Sequence, residues 1–210
     1  MTAADYERSV FVNCPFDKDY RHLFEAIVFA VHDCGHVARC ALEVDDASEV
    51  RIDKVARIIG DCRFGLHDIS RTEPDSATGL PRFNMPFELG VFLGAKRFGR
   101  TEQKQKSCLI LDIEPYRFQK FLSDIAGQDI AAHAGNVQTA ISRVRDWLSD
   151  ATQRLIRMPG GKTVAERYAI FRRELPAMCE TYSLRVQELT FNDYVAQMED
   201  WLTANPHVAI

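Results

Sequence analysis

The chain has 210 residues, with 26 basic and 30 acidic side chains, a net charge of −4 and 46% hydrophobic residues. These proportions exclude disorder as the dominant state, and the mild acidity excludes broad nucleic-acid binding, which needs a basic footprint. At about 100–200 residues per domain the length corresponds to one main domain with at most a small addition, without need of staples.

The first run, Ser9-Val-Phe-Val12, reads as a β-strand closed by Asn13-Cys-Pro15. Residues 19–34 carry Leu23, Ile27 and Val31 at four-residue steps, one apolar helix face, with Gly35 where a helix C-terminus wants it. Residues 36–42 read as a second strand, and 43–48 as an acidic loop in which Ser48 can cap the next helix, carrying Ile52, Val55, Ile58 and Ile59. A third strand covers 64–68 and a polar loop 70–83. A helix follows over 84–98 and a fourth strand over 107–112. Residues 115–125 read as helical, 129–132 as a short fifth strand, and 137–149 as a helix with Ile141, Val144 and Leu148 in phase.

From 151 onward the pattern is helical only. Thr163-Val-Ala-Glu166 and Thr190-Phe-Asn-Asp193 both read as capping boxes, and Pro176 marks the end of the first segment. The expected organisation is an α/β domain over 1–150 and a helical extension over 151–210, packed on the core or on a partner subunit. Strands alternating with helices imply parallel pairing, hence a doubly wound sheet of four or five strands. Ligands in such sheets lie outside the carboxyl ends of the strands. That rule selects the loops 13–18, 43–48 and 68–84.

The longest apolar run, 26–31, is far short of the ~20 residues of a spanning helix, and the first eight residues carry acids rather than an apolar signal core. The expected location is cytoplasmic, with no membrane partner and no sequence-specific nucleic acid. Six cysteines form no C-x-x-C pair and sit mostly in apolar runs, so buried reduced thiols are expected. Six histidines form no H-E-x-x-H, and no metal site is expected. Gly161-Lys162-Thr163 resembles the end of a nucleotide P-loop, but that pattern demands glycine at 156, where the chain has Ile, and 152–157 reads as helix.

The densest chemistry lies in Phe64-Gly-Leu-His-Asp-Ile-Ser70 and Arg82-Phe-Asn-Met-Pro-Phe-Glu-Leu-Gly-Val-Phe-Leu-Gly-Ala95. Asp68 falls at the carboxyl end of a strand. Glu88 falls in the first turn of the next helix if Pro86 sits near its start. Both carboxylates are then expected to face one crevice, with the helix dipole keeping Glu88 ionised. Gly90 and Gly94 give that helix a small-residue stripe suited to lying close on the sheet. A plainer reading makes Glu88 a capping partner and Asp68 a turn former.

These residues resemble two related families. Nucleoside 2-deoxyribosyltransferases have a strand ending in Asp, a loop, and a helix of pattern G-x-A-x-E-L-G-x-A, which here reads Asn84-Met-Pro-Phe-Glu-Leu-Gly-Val-Phe. Toll/interleukin-1 receptor (TIR) domains have an S-x-W-C-x-x-E-L helix after a buried strand, matched here by 64–70 and Glu88-Leu89. Val10-Phe-Val-Asn-Cys-Pro-Phe16 also resembles their first strand and loop. The likeness covers roughly residues 9–112. Met85-Pro86 replaces the TIR Trp-Cys pair, and the transferase G-x-A is absent. The resemblance implies a flavodoxin-like fold and attack at a sugar C1′, with NAD glycohydrolysis of TIR type first and deoxyribosyl transfer second. A non-catalytic, nucleotide-sensing or self-associating module is the rival. The resemblance implies Glu88 as the catalytic carboxylate and Asp68 as its partner. Asn13, Phe16, Asp45, Asp46, Ser70, Arg71, Arg82 and Asn84 are the substrate-binding candidates, Phe16 by stacking on a base and the arginines by gripping phosphate. No cofactor is required; NAD or another nucleotide or nucleoside is the expected small-molecule partner. A homo-oligomer is a further expectation, with Trp147, Trp201 or Phe171 as candidates for its surface and core packing as their competing role.

Overall fold

The computed structural model describes residues 2–74, 79–153 and 157–207. The centre of the 70–83 loop and the middle of the helix expected over 152–157 therefore lie outside the described residues. In chain order the elements are α1 (Ala3–Arg8), β1 (Ser9–Asn13), α2 (Arg21–Asp33), β2 (Val37–Arg39), α3 (Arg51–Gly60), β3 (Phe64–Asp68), α4 (Asn84–Phe98), α5 (Thr101–Lys104), β4 (Ser107–Asp112), β5 (Ile130–Ala132), α6 (Val137–Ala151), α7 (Gly161–Thr181) and α8 (Phe191–Ala204). All five strands pair in parallel, in the order β2-β1-β3-β4-β5. This is the flavodoxin-like doubly wound order. Its switch point, where a crevice opens at the strand ends, lies between β1 and β3.

β1 and β3 are buried along their whole length, as central strands covered on both faces must be. On one face α2 and α6 pack against the sheet, and α7 and α8 add a further layer outside α2. Every α2 residue from Leu23 to Asp33 is buried, because a helix between a sheet and other helices has no solvent side. The Phe29 ring lies 5.4 Å from those of Tyr168 and Phe171 and 5.9 Å from that of Trp201. The C-terminal helices thus share one apolar cluster with α2 and α6. Phe171 and Trp201 are buried there, which removes them as an oligomer surface. On the other face α3 and α4 close over Phe11 through Val55, Ile58, Ile59 and Phe92.

Helix ends show where local chemistry decides. α2 closes in a Schellman motif: Gly35 adopts φ +82°, His36 N–H donates to Val31 O, and Gly35 N–H donates to His32 O. At α8 the Thr190 hydroxyl accepts from Asp193 N–H and the Asp193 carboxylate accepts from Thr190 N–H, the reciprocal cap expected. α1 has the same device in Thr2 and Asp5.

Other local expectations are corrected. Ser48 does not cap α3; its hydroxyl and N–H both go to Asp46 Oδ1, an Asx turn. Thr163 does not cap α7, which begins two residues earlier with no side-chain cap. Gly161 sets that start, since a Cβ there would stand 2.7 Å from Ser142 Oγ of α6. α7 also runs through Pro176 to Thr181. The second strand is only three residues long. Residues 115–125 form two 3-10 turns, Arg117–Lys120 and Ser123–Ile125, because Tyr116 at φ 61° turns the chain sharply. Gly90 and Gly94 face open space rather than the sheet. The close approach is made instead at Gly65 of β3, where a Cβ would stand 2.6 Å from the Phe92 ring.

The six cysteines are unpaired, and all but Cys108 are buried. Among the described residues no helix is long and apolar enough to cross a membrane.

Candidate functional site

A cavity of about 230 Å³ opens at the carboxyl ends of β1 and β3. Asn13, Phe16 and Asp17 line it from the end of β1 and the loop beyond. Arg51 lines it from the start of α3, Arg71 from the loop after β3, and Arg82, Asn84 and Glu88 from the start of α4. Six of the residues expected at a site, Asn13, Phe16, Arg71, Arg82, Asn84 and Glu88, are thereby brought together. Asp45 and Asp46 are exposed in a separate loop, and Ser70 is buried; none of the three lines the cavity.

α4 takes Asn84 as its first helical residue, which puts Pro86 third and Glu88 in the second turn. Pro86 still costs nothing, since first-turn N–H groups have no intrahelical partner. Glu88 is beyond the turn where the dipole acts most strongly. Burial dominates there: at 8% exposure the Glu88 carboxyl is pushed up, against a smaller downward pull from Arg51. The expectation of a dipole-stabilised carboxylate is corrected accordingly. Arg51 Nη2 stands 3.9 Å from Glu88 Oε1.

Asp68 does not share the crevice with Glu88. Side chains alternate along a strand, so Phe64, Leu66 and Asp68 point towards α2, while His67 points towards α4. Asp68 is fully buried and is occupied by structural partners. Tyr20 Oη donates to its Oδ2, Ser70 N–H donates to Oδ1 at 2.8 Å, and His133 Nε2 lies 2.9 Å from Oδ2. Gly135 N–H donates to His133 Nδ1, which turns Nε2 towards Asp68. Burial, then the Asp68 charge, pushes the Tyr20 hydroxyl and the Cys14 thiol well up, so both stay protonated. Asp68 thereby ties together the segments that follow β1, β3 and β5.

His67, on the Glu88 side, is buried and pushed down to about 3, chiefly by desolvation and secondarily by Lys106. Its Nδ1 stands 3.1 Å from Asn13 Nδ2, which also donates to Met85 O at 2.9 Å and so fastens β1 to the first turn of α4. Arg117 fastens the other rim. It donates to Asp112 Oδ1 at 2.6 and 2.9 Å, to Ile69 O at 3.1 Å, to Ser70 O at 2.8 Å and to Thr72 Oγ1 at 3.0 Å.

Arg51, Asp17, His67, His133 and Arg117 are not among the site candidates named from the sequence, although His67 and Asp17 lie in the motif and loop it singles out. Strand alternation would have put His67 on the Glu88 side; nothing local marks Arg51, His133 or Arg117, which arrive through topology. Of the three arginines at the cavity, Arg71 is paired with Asp17 at 3.0 Å and Asp19 at 3.8 Å. Arg51 is half exposed, and Arg82 has no ion-pair partner among the described residues. Three arginines in a cavity with two carboxylates, Asp17 and the desolvated Glu88, leave a cationic excess that suits an anionic, hydroxyl-bearing ligand better than a cation. Among the described residues no group of His, Cys, Asp and Glu side chains is placed to hold a metal ion. Comparisons with protein-family models, curated proteins and solved structures find no match to this chain.

Proposed function

We propose that the protein binds a nucleotide or nucleoside at the β1/β3 crevice and cleaves or transfers its N-glycosidic bond, with NAD hydrolysis the first activity to seek and deoxyribosyl transfer the second. The observation that carries this reading is the placement of Glu88, a buried carboxylate with a raised pKa, in one cavity with Arg51, Arg71 and Arg82. In the proposed reaction the arginines hold phosphate and the Asn13 and Asn84 amides meet sugar hydroxyls. The C1′–N bond breaks and the base leaves with the bonding pair: nicotinamide from NAD departs neutral with no proton needed, whereas the base of a deoxynucleoside takes up a proton as it leaves. Positive charge develops at C1′, and the ionised Glu88 stabilises or captures it before water or an acceptor base adds there. Asp68, His133 and Tyr20 act as positioning residues, holding the loops that carry Phe16 and Arg71.

The test is incubation of the protein, over a range of concentrations, with NAD and separately with a deoxynucleoside plus a free base, following products by chromatography. Base release or exchange by the wild type and its loss in Glu88→Gln support the reading. Turnover that survives in Glu88→Gln contradicts it.

A second reading rests on a different observation. Phe83, Phe87 and Phe98 are 56%, 59% and 82% exposed along α4, at a spacing that puts them near one helix face with Gly90 and Gly94. Such a stripe suits a self-associating module. Sedimentation of wild type against Phe87→Ser separates it from the first: a module loses its oligomer, whereas a monomeric enzyme keeps its mass and its turnover.

A further inference from the structure

A second cavity, of about 160 Å³, lies beside the first, and Phe16 lines both. Its other apolar walls are Phe24 of α2, Leu42 after β2, and Leu189 and Phe191 at the entry to α8. The C-terminal layer thus contributes to the surroundings of the crevice. Small-molecule sites usually occupy ~300–1,000 Å³; neither cavity reaches that alone, and the two together reach its lower end.

The two differ in chemistry. The first presents arginines, amides and a carboxylate. In the second, the polar groups already have partners: Glu25 is held by Arg21 and Arg172, Arg21 also donates to Val186 O and Gln187 O, Tyr194 Oη donates to Glu25 O, and the Thr190 hydroxyl is committed to Asp193. What remains for a ligand is apolar and aromatic contact. The Phe16 ring, 39% exposed, stands edge-on to Phe24 at 5.3 Å, which leaves part of it available at the boundary.

We infer that this second cavity is the base subsite of the ligand whose phosphate sits among the arginines. The ligand class is then a 5′-phosphorylated nucleoside, extended across Phe16, and the base is held by stacking and shape rather than by hydrogen bonds to its edge. This rests on the nucleotide reading of the first cavity and adds where the base goes and what builds its seat. It also assigns the C-terminal helices a role in specificity: they admit a flat heteroaromatic ring and discriminate weakly among bases of similar size.

Calorimetric titration of the full chain with adenosine 5′-monophosphate and with ribose 5-phosphate tests it, using wild type, Leu42→Asp and Leu42→Met. Leu42 is 43% exposed, so neither substitution opens the core. The wild type is expected to bind the nucleotide about tenfold more tightly than the sugar phosphate, the strength usual for base–aromatic stacking. Leu42→Asp is expected to remove most of that advantage while leaving ribose 5-phosphate within about twofold, and Leu42→Met is expected to keep it. Equal wild-type affinity for the two ligands, or an advantage undiminished in Leu42→Asp, overturns the base subsite and leaves the phosphate site standing. Binding of neither ligand overturns the nucleotide reading and the subsite with it.

Discussion

Glu25 and Glu88 are both buried glutamates, 4% and 8% exposed, on helices that cover opposite faces of one sheet. Each Glu25 oxygen meets an arginine, Arg21 at 2.8 Å and Arg172. Asp33, on the same helix, is likewise held by Arg167 at 3.0 Å and His207 at 3.1 Å. Glu88 has, among the described residues, one ionic neighbour, Arg51 at 3.9 Å. The α2 carboxylates fasten the C-terminal layer to the core, whereas Glu88 fastens nothing. Burying a carboxylate without close partners opposes folding, so the α2 face is built for stability and the α4 rim carries a group better suited to a ligand.

The largest expected effect lies on the α2 face. Phe171→Ala, at the centre of the aromatic cluster, is expected to cost about 3–5 kcal/mol in denaturant unfolding; a cost below about 1 kcal/mol would mean the C-terminal layer is not part of the cooperative core. Arg117→Met is expected to cost about 3 kcal/mol, since it leaves Asp112 buried without its cation. It should also weaken phosphate binding, because the loop bearing Arg71 is released; stability loss without binding loss would make Arg117 merely structural. Arg82→Ala is expected to weaken phosphate-bearing ligands about tenfold or more and to leave melting unchanged; calorimetry with inorganic phosphate reads the difference. The smallest effect is electrostatic. The folded protein holds a proton on Glu88 above the ordinary carboxyl value of about 4.3, so between that value and the raised one the native state binds more protons than the unfolded state. Wild-type stability must therefore fall relative to Glu88→Gln as pH rises through that window. Melting curves of the two proteins at pH 4 and pH 8 check the sign.

Much of the architecture was legible because burial writes periodicity into the chain. The bounds of β3, α4 and β4 follow from apolar runs and the proline and glycine signals around them. The four-residue spacing of Leu23, Ile27 and Val31 suggested a single buried face for α2, whereas the layer of C-terminal helices buries it on every side from Leu23 to Asp33. Caps were less legible. Thr190 forms its box with Asp193, while Ser48 is taken by Asp46 and Thr163 is overtaken by the fit of Gly161 against Ser142. At the site, Glu88 and the flanking arginines could be named from local pattern. Asp68 was misplaced because strand parity sends it to the opposite face. Arg51 and Arg117 meet the site only through the sheet's strand order, which no local window contains.

The most direct test measures free base released from a nucleotide by wild type and Glu88→Gln at equal folded fraction, with melting temperatures recorded on the same samples. Release falling at least about a hundredfold, with a melting temperature equal to or above wild type at neutral pH, is the result predicted here. Undiminished release, or a variant that melts lower because Glu88 was holding the fold together, would contradict it.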